Sequence, residues 1–284
     1  MLIRKILISL LFYLISAIFT YGSLNFLSHI VINNNKNRVG AYIRVKNEIK
    51  TIEACLNSID GVFDHIVIIH SNEKDDGSVA FMQQWCDKRK YCEIHEYPHT
   101  VFSSHDKRYR QKFKPENSLA AYYNFGLQFF QPEEWVVKID ADQVYIKPLL
   151  YQFIQKFKKG KADDKKRYGL RGYNTFVYNN KIVKYGLGET NGGYDSFVIK
   201  RKNIKTFNQT PFYEILITKN CLNANLSQPV WFHFMKSLKS NGHIRQLTEA
   251  KPNEIKNLSK NEIYLFEKFI RPFLINSPYK NVQF

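Results

Sequence analysis

The sequence predicts an α/β domain, a mostly parallel sheet flanked by helices, preceded by an N-terminal hydrophobic helix. Between Arg38 and Asp140, short apolar runs suited to buried strands alternate with helical stretches, and this order is typical of doubly wound sheets. A chain of 284 residues that is 44% hydrophobic is long enough to bury one sizeable core. No Lys, Arg, Asp or Glu occurs between Ile6 and Asn35, which sets the N-terminus apart.

The predicted elements of the first half follow one another closely. In chain order they are strand 38–45, helix 47–59, strand 64–70, helix 79–88, strand 91–98, helix 117–130 and strand 134–139. The second strand, DHIVIIH (64–70), is a short apolar run that suits a parallel sheet. Asn47 is the expected N-cap of the first helix. The polar and basic stretch 100–116 is expected to form a long loop.

The pattern is less regular beyond Arg167. Residues 168–186 suggest a hairpin that turns at Asn179 and Asn180. The sequence GGYDSFVIKR (192–201) indicates a tight turn leading into a strand, and the C-terminus is expected to be mostly helical, including NEIYLFEKFIRPFL (261–274).

The first 35 residues are expected to hold the chain at a membrane. A spanning helix needs about 20 largely apolar residues, and Ile6–Phe19 is strongly apolar. A helix in the membrane interface and a cleaved signal peptide are the alternatives, although no small-residue cleavage site follows the apolar run. Two basic residues precede this run and four follow it, which favours a cytoplasmic C-terminal domain. These residues are Arg4, Lys5, Lys36, Arg38, Arg44 and Lys46.

Charge and cysteine usage limit the partners and the compartment. The formal net charge is +17 and the pI is about 9.6, so an anionic partner is expected: nucleic acid, a membrane surface or a phosphorylated substrate. The four cysteines have no spacing typical of a zinc site. All four, Cys55, Cys86, Cys92 and Cys221, are expected to be reduced thiols.

Two acids follow the last predicted strand of the first half, in VVKIDADQVY (136–145). Ligands of open α/β sheets bind outside the carboxyl ends of the strands, where Asp140 and Asp142 are placed. Two carboxylates one residue apart can bind one hard cation. The alternative is an ordinary surface turn, because Asp-x-Asp also occurs in loops as a cap or turn former.

Several segments together resemble a known family. RVKNE (44–48), DDGS (75–78), AAYYNFGLQFF (120–130), EWVVKIDAD (134–142) and HFMKSLK (233–239) are similar to the inverting, family-2-like glycosyltransferases of the GT-A fold. The similarity is greatest to bacterial β-1,4-N-acetylgalactosaminyltransferases that build lipooligosaccharide outer cores. It implies that residues 36–284 form one GT-A domain, with a nucleotide-binding half at 36–150 and an acceptor-side half with C-terminal helices at 151–284.

The resemblance implies a UDP-sugar as donor. Asn47 and Glu48 at the end of the first strand, Asp76 in the following loop, Asp140 and Lys236 are the implied donor-binding residues. Ser71 and Asn72 stand where the family usually has a single Asp directly after the second strand. The alternative for Asp76 is a plain turn residue.

The resemblance also implies a metal ion and a general base. Mn²⁺ or Mg²⁺ on Asp140 and Asp142 would neutralise the diphosphate leaving group, and His233 matches a late histidine that often completes this site. The alternative for His233 is a core histidine between aromatic residues. Asp195 is the implied base that deprotonates the acceptor hydroxyl, with Glu214 as the runner-up.

The implied acceptor is a glycolipid or lipooligosaccharide. The catalytic domain is expected on the cytoplasmic face of the bacterial inner membrane, because UDP-sugars are made in the cytoplasm. Two alternatives stay open. A sugar nucleotidyltransferase shares the fold and the metal-binding acids, although RVKNE lacks the Gly-rich basic loop typical of that class. A basic, membrane-attached binding protein is supported by DKRYRQKFK (106–114), but anionic lipid explains the charge equally well, so no nucleic-acid partner is expected.

Overall fold

A computed structural model describes the greater part of the chain. The described residues are 37–71, 75–102, 114–178, 181–210, 214–234, 255–277, 280, 281, 283 and 284, with the side chains of 178, 185–195 and 225–227 also outside the description. The expected membrane anchor, residues 1–35, therefore lies outside the described residues. Among the helices that are described, none is both long enough and apolar enough to cross a membrane.

The first half has the predicted alternation of strands and helices. Its elements are β1 (Val39–Val45), α1 (Ile52–Ile59), β2 (His65–Ser71), α2 (Ser78–Asp87), β3 (Cys92–Tyr97), α3 (Leu119–Leu127) and β4 (Trp135–Asp140). The four strands are parallel and lie in the order β3-β2-β1-β4. The order along the sheet therefore changes direction at β1, which lies between β2 and β4.

The second half extends this sheet with long strands. Its elements are β5 (Gln143–Tyr145), α4 (Lys147–Lys158), β6 (Lys166–Tyr178), β7 (Lys181–Lys200), β8 (Ile204–Gln209), β9 (Glu214–Thr218), β10 (Leu222–Phe234), β11 (Ile255–Asn257) and α5 (Lys260–Phe269). Strand β7 runs antiparallel to β4 and β6, while β6 and β10 are parallel to each other. Within the described residues, nine strands form one mixed sheet in the order β3-β2-β1-β4-β7-β6-β10-β5, with β11 on β7, and β8 pairs with β9 separately. The prediction of a mixed, mostly parallel sheet flanked by helices is confirmed for this part of the chain.

Helices cover both faces of the sheet, which explains why the central strands are mostly apolar. Helices α1, α2 and α4 pack on one face in a single cluster that includes Ile43, Leu56, Trp85 and Phe157. Helix α3 packs on the opposite face together with β8 and β9. Strands β1 and β2 are buried over nearly their whole length, as expected for parallel strands between two helical layers.

The start of helix α1 differs from the prediction. Asn47 has a positive φ of 56°, so it belongs to a turn after β1 and is not the N-cap. The helix begins at Ile52, with Thr51 in the N-cap position, and the carbonyl of Glu48 accepts hydrogen bonds from the backbone N–H groups of Thr51 and Ile52. Asn tolerates a left-handed conformation better than most residues, so its side chain favoured a turn rather than a cap.

The hairpin prediction is confirmed, but the tight turn at 192–195 is wrong. Strands β6 and β7 pair antiparallel on both sides of residues 179–180, which lie outside the described residues. Gly192 pairs with Leu170, and Phe197 pairs with the neighbouring Gly169. Residues 193–196 therefore form a bulge within β7. The chain remains in the strand because β6 supplies pairing partners before and after the bulge.

One cysteine prediction is also wrong. Cys86 and Cys92 form a disulfide, with their Cα atoms 5.1 Å apart. The turn between α2 and β3 brings them together, because Cys86 accepts a hydrogen bond from Arg89 and Arg89 accepts one from Cys92. Cys55 and Cys221 are free thiols, as expected. The cysteines therefore do not support a reducing compartment.

Candidate functional site

The carboxyl ends of β1 and β4 form the crevice in which the paired acids lie. The register of the two parallel strands places Arg44 opposite Asp140. Helix α3 is fixed against the carboxyl ends of β1 and β2, because the hydroxyl of Tyr122 shares its proton between the carbonyls of Val45 (3.0 Å) and Ile69 (2.6 Å). The strand order reverses between β1 and β4, which is where open α/β sheets bind ligands.

Asp140 lies between two cationic side chains. Its Oδ1 is 2.8 Å from Nη2 of Arg44, and its Oδ2 is 3.2 Å from Nζ of Lys138. Burial raises the pKa of Asp140, but the positive charges of Lys138 and Arg44 lower it by more. The pKa therefore lies below the usual value of an aspartate. Asp140 is therefore a carboxylate at neutral pH.

Asp142 and His233 are paired beside Asp140. Strand β10 runs antiparallel to β5 and places His233 opposite Gln143. Nε2 of His233 is 3.1 Å from Oδ1 of Asp142, and its Nδ1 is 3.1 Å from Oδ1 of Asn174. His233 is also close enough to Asp140 to be among the groups that lower its pKa. The three predicted metal ligands thus come from β4, the β4–β5 turn and β10 into one neighbourhood.

The chemistry of this donor set fits Mn²⁺ or Mg²⁺. Two carboxylates supply the oxygen ligands that both ions prefer, and a histidine nitrogen suits Mn²⁺. Within the part of the chain that is described, no three His, Cys, Asp or Glu side chains already form a group that could hold a metal ion. The carboxylate of Asp140 forms ion pairs with Arg44 and Lys138 instead. A metal ion that binds Asp140 would have to replace these ion pairs.

A second group of side chains adjoins Asp140, and the sequence did not predict it. The guanidinium of Arg44 stacks on the ring of Tyr123, 3.5 Å from its centroid. Glu214, the first residue of β9, lies near enough to both groups to contribute to the raised pKa values of Tyr123 and Arg44. The only sequence signal was a charged residue near the end of the otherwise apolar strand VGAYIRV. Glu214, expected as the alternative base, thus lies beside this crevice.

The loop after β2 is fixed to the loop after β1 by Asp76. Its Oδ2 accepts a hydrogen bond from the backbone N–H of Ile49, and its Oδ1 accepts one from that of Ser78, both at 3.1 Å. The hydroxyl of Ser78 in turn accepts one from the backbone N–H of Glu48 at 3.0 Å. Asp76 is therefore part of a turn, and its hydrogen bonds help to place Asn47 and Glu48 at the rim of the crevice. Its contact with the uridine stays a prediction.

Two predicted site residues lie outside the described structure. The backbone of Asp195 belongs to the bulge in β7, but its side chain is outside the described residues. Lys236 lies entirely outside them. The structure therefore does not decide between Asp195 and Glu214 as the general base, and it leaves the role of Lys236 as a prediction.

Comparison with known proteins gives one family match. Residues 32–239 match the family described as CgtA, β-1,4-N-acetylgalactosaminyltransferase. This region includes β1 to β10 and both acids of the crevice. No curated protein matches the chain significantly.

Solved structures resemble the chain only weakly. S. aureus TarS 1–349 matches with a TM-score of 0.44 and 10% identity, over 69% of this chain and 60% of that chain. The same protein in complex with UDP matches with a TM-score of 0.45 and 10% identity, over 85% and 66%. The present chain thus spans less than two thirds of the length of either structure. Similarity at these TM-scores decides nothing about function.

Proposed function

The chain belongs to the CgtA β-1,4-N-acetylgalactosaminyltransferase family, and we propose that it transfers a sugar from a UDP-sugar to a hydroxyl group of a glycolipid or lipooligosaccharide, with inversion at the anomeric carbon. The family match carries this proposal, because it covers residues 32–239 and includes the crevice with Asp140 and Asp142. GalNAc is the first choice of sugar. The matching family is one of glycosyltransferases, so the match favours sugar transfer over the nucleotidyl transfer considered from the sequence.

We propose that Asp140, Asp142 and His233 hold a divalent metal ion. Bound there, Mn²⁺ or Mg²⁺ would supply positive charge to the departing diphosphate as a Lewis acid. Asn174 supports this role of His233, because its contact with Nδ1 orients the ring and leaves Nε2 directed at Asp142. Burial of Asp142 and partial burial of Asp140 limit the water around them, which strengthens their interaction with charge.

Donor binding is proposed for the rim of the crevice. Asn47, Glu48 and Asp76 would face the uridine, and Lys236 would contact phosphate. The hydrogen bonds of Asp76 already hold the two rim loops together, so the nucleotide would meet a preorganised surface. Preorganisation lowers the entropic cost of binding.

Asp195 is proposed as the general base that takes the proton of the acceptor hydroxyl. Its place in a bulge of β7 supports this role, since bulges often direct a side chain towards an active site. Glu214 stays the alternative because it lies beside Tyr123 and Arg44 at the same crevice.

Attachment to the cytoplasmic face of a membrane is part of the proposal. The uncharged run that precedes Asn35 supports it, and so does helix α4. This helix contains three lysines and no acid, and Tyr151 and Lys156 are exposed on its outer face. Basic and aromatic side chains on one helix face suit an anionic lipid surface.

The test is a transfer assay with the full-length protein. UDP-GalNAc, UDP-Gal, UDP-GlcNAc and UDP-Glc are each supplied with a lipooligosaccharide acceptor and Mn²⁺, and UDP release and the product are measured. We expect one donor to be preferred and NMR to show the inverted anomer. If none of the four donors gave UDP or product, the proposal would be refuted for these donors. A product with retained anomeric configuration would refute the inverting mechanism.

A further inference from the structure

We propose that Arg44 is a diphosphate-binding residue that is held on Asp140 until the donor arrives, so that the nucleotide and the metal ion bind with positive coupling. This inference rests on the proposed function, because it assumes a UDP-sugar and a divalent ion at this crevice. In the free protein Arg44 pairs with Asp140. When donor and metal ion are bound, Arg44 would bind the diphosphate and Asp140 would bind the metal ion.

The contacts of Arg44 are strong on one side and incomplete on the other. One nitrogen, Nη2, is 2.8 Å from Asp140, and the guanidinium lies flat on the ring of Tyr123. Its Nε is buried and has no hydrogen-bond partner. A buried donor without a partner is costly, so the side chain has an unfilled position for an acceptor. A guanidinium binds phosphate through two parallel hydrogen bonds, which would use such a donor.

The charges around Asp140 oppose binding of a metal ion to the free protein. A divalent ion on Asp140 would lie close to the positive charges of both Arg44 and Lys138. Repulsion between like charges is large in a partly buried site. A diphosphate brings the negative charge that draws Arg44 away and offsets the ion. The two ligands should therefore each increase the affinity of the other, by the same factor.

A purely structural ion pair is the alternative, and the chain provides a matched control for it. Arg89 pairs with Asp60 at 2.7 Å and lies 3.7 Å over the ring of Trp85. It thus has the same two kinds of contact as Arg44. It differs in lying between α2 and β3, away from the carboxyl ends of β1 and β4. Loss of Arg89 should change stability but not the coupling between ligands.

The experiment measures Mn²⁺ binding by the full-length protein, from the electron paramagnetic resonance signal of free Mn²⁺, with and without saturating UDP. For the wild type we expect UDP to increase Mn²⁺ affinity by a factor within the usual range for coupled sites, about 5 to 150. Arg44→Gln should bind Mn²⁺ several-fold more tightly than the wild type without UDP. It should also lose most of the increase that UDP causes, whereas Arg89→Gln should keep the wild-type factor.

Each outcome decides the inference. An Arg44→Gln protein with the wild-type coupling factor would overturn it while leaving the proposed function intact. If the wild-type protein did not bind UDP, either alone or in the presence of Mn²⁺, the proposed function would be overturned, and this inference with it. If Arg44→Gln does not fold, as judged by circular dichroism, Arg44→Lys replaces it. Lysine keeps the charge but cannot make two parallel bonds, so a reduced coupling factor is expected, and an unchanged one would overturn the inference.

Discussion

Asp140 stays ionised in a partly buried position because two cationic neighbours neutralise it. Lys138 is on the same strand and Arg44 is on the adjacent one, directly opposite in register. Asp142 is buried and pairs with His233. The two acids are separated by one residue, yet they have different partners, which gives them distinct positions for binding one ion.

Separate substitution of the two candidate bases tests which of them receives the proton from the acceptor hydroxyl. Asp195→Asn should lower kcat by about two orders of magnitude or more, since a general base contributes about 10²–10⁴-fold. UDP-sugar affinity should be unchanged, because this interaction belongs to the transition state. Glu214→Gln is the control and should retain most of the rate. The opposite pattern of kcat values would assign the base to Glu214.

Sequence patterns singled out Asp140, Asp142 and His233, which the structure brings into one neighbourhood, because a strand end and short motifs are local features. The partners of Asp140 could not be predicted in the same way. Arg44 and Asp140 are 96 residues apart, and they meet only because β1 and β4 pair in one particular register. The sequence offered a turn residue as the alternative for Asp76. Its hydrogen bond with the backbone N–H of Ile49 could not be predicted, because it depends on how two loops pack.

At the scale of elements, the first four strands could be predicted because they alternate with helical stretches, and because β1, β2 and β4 are largely apolar runs that the structure buries. Strands β8, β9 and β10 were not predicted. Strand β10 pairs with β6, whose residues lie more than fifty positions earlier, so its formation depends on a distant partner. The bulge at residues 193–196 is likewise fixed by β6, and the local GGYD sequence only suggested a turn.

The contact between α1 and the chain entering β3 predicts a pH dependence. The hydrogen bond from Arg89 is the main cause that lowers the pKa of Asp60 to about 2, with burial opposing it and Tyr91 adding to it. An unfolded aspartate has a pKa of about 3.9. The pair therefore stabilises the protein above about pH 4, and this contribution is lost as the pH falls towards 2.

Asp60→Asn should reduce the free energy of unfolding at pH 7 by about 1 kcal/mol, a figure discounted for a side chain that is one third exposed. The difference from wild type should shrink between pH 4 and pH 3 in denaturant unfolding. Asp87→Asn, an exposed acid on α2, is the control and should change little. A difference of constant size from pH 7 to pH 3 would contradict the assignment.

The pairing of β6 with β10 depends on a glycine. Gly172 lies opposite Trp231, and a Cβ atom at this position would be 1.9 Å from the indole ring. The ring is buried in the core and cannot move freely. Gly172→Ala should therefore cost about 3 kcal/mol or more and lower activity, since His233 is two residues further along β10.

The matched control is Gly61→Ala. Gly61 has a φ of +71° but open space around it, so this change should cost only about 1 kcal/mol in backbone strain. Both costs are read from denaturant unfolding curves. Equal losses in the two variants would show that the contact with Trp231 is not what requires glycine at 172.

At the scale of the whole molecule, the described domain contains its own core. The three clusters of buried apolar residues lie between Val39 and Leu274. A chain beginning at Asn35 should therefore fold, be more soluble and transfer sugar to a short acceptor. Its binding to vesicles of neutral lipid should be lost, because the apolar run is gone. If the full-length domain proved accessible to protease from outside intact spheroplasts, the cytoplasmic topology would be wrong.

Residual binding of the shortened chain to anionic vesicles should depend on α4. Lys156→Glu should reduce co-sedimentation with vesicles that contain phosphatidylglycerol, because each basic residue near such a surface contributes about 1 kcal/mol. Lys205→Glu, an exposed lysine on β8 and on the opposite side of the sheet, is the matched control. Equal losses in both variants would mean that net charge alone, and not the face of α4, determines attachment.

The central claim is that Asp140, Asp142 and His233 form a metal-dependent site for a UDP-sugar. Isothermal titration of UDP-GalNAc into the full-length protein tests it most directly, with Mn²⁺ or with EDTA, and with Asp142→Asn beside the wild type. The claim predicts clear binding to the wild type in Mn²⁺, and at least about tenfold weaker binding in EDTA or after Asp142→Asn, since a lost metal contact costs more than about 1.4 kcal/mol. Equal affinity under all three conditions would contradict it.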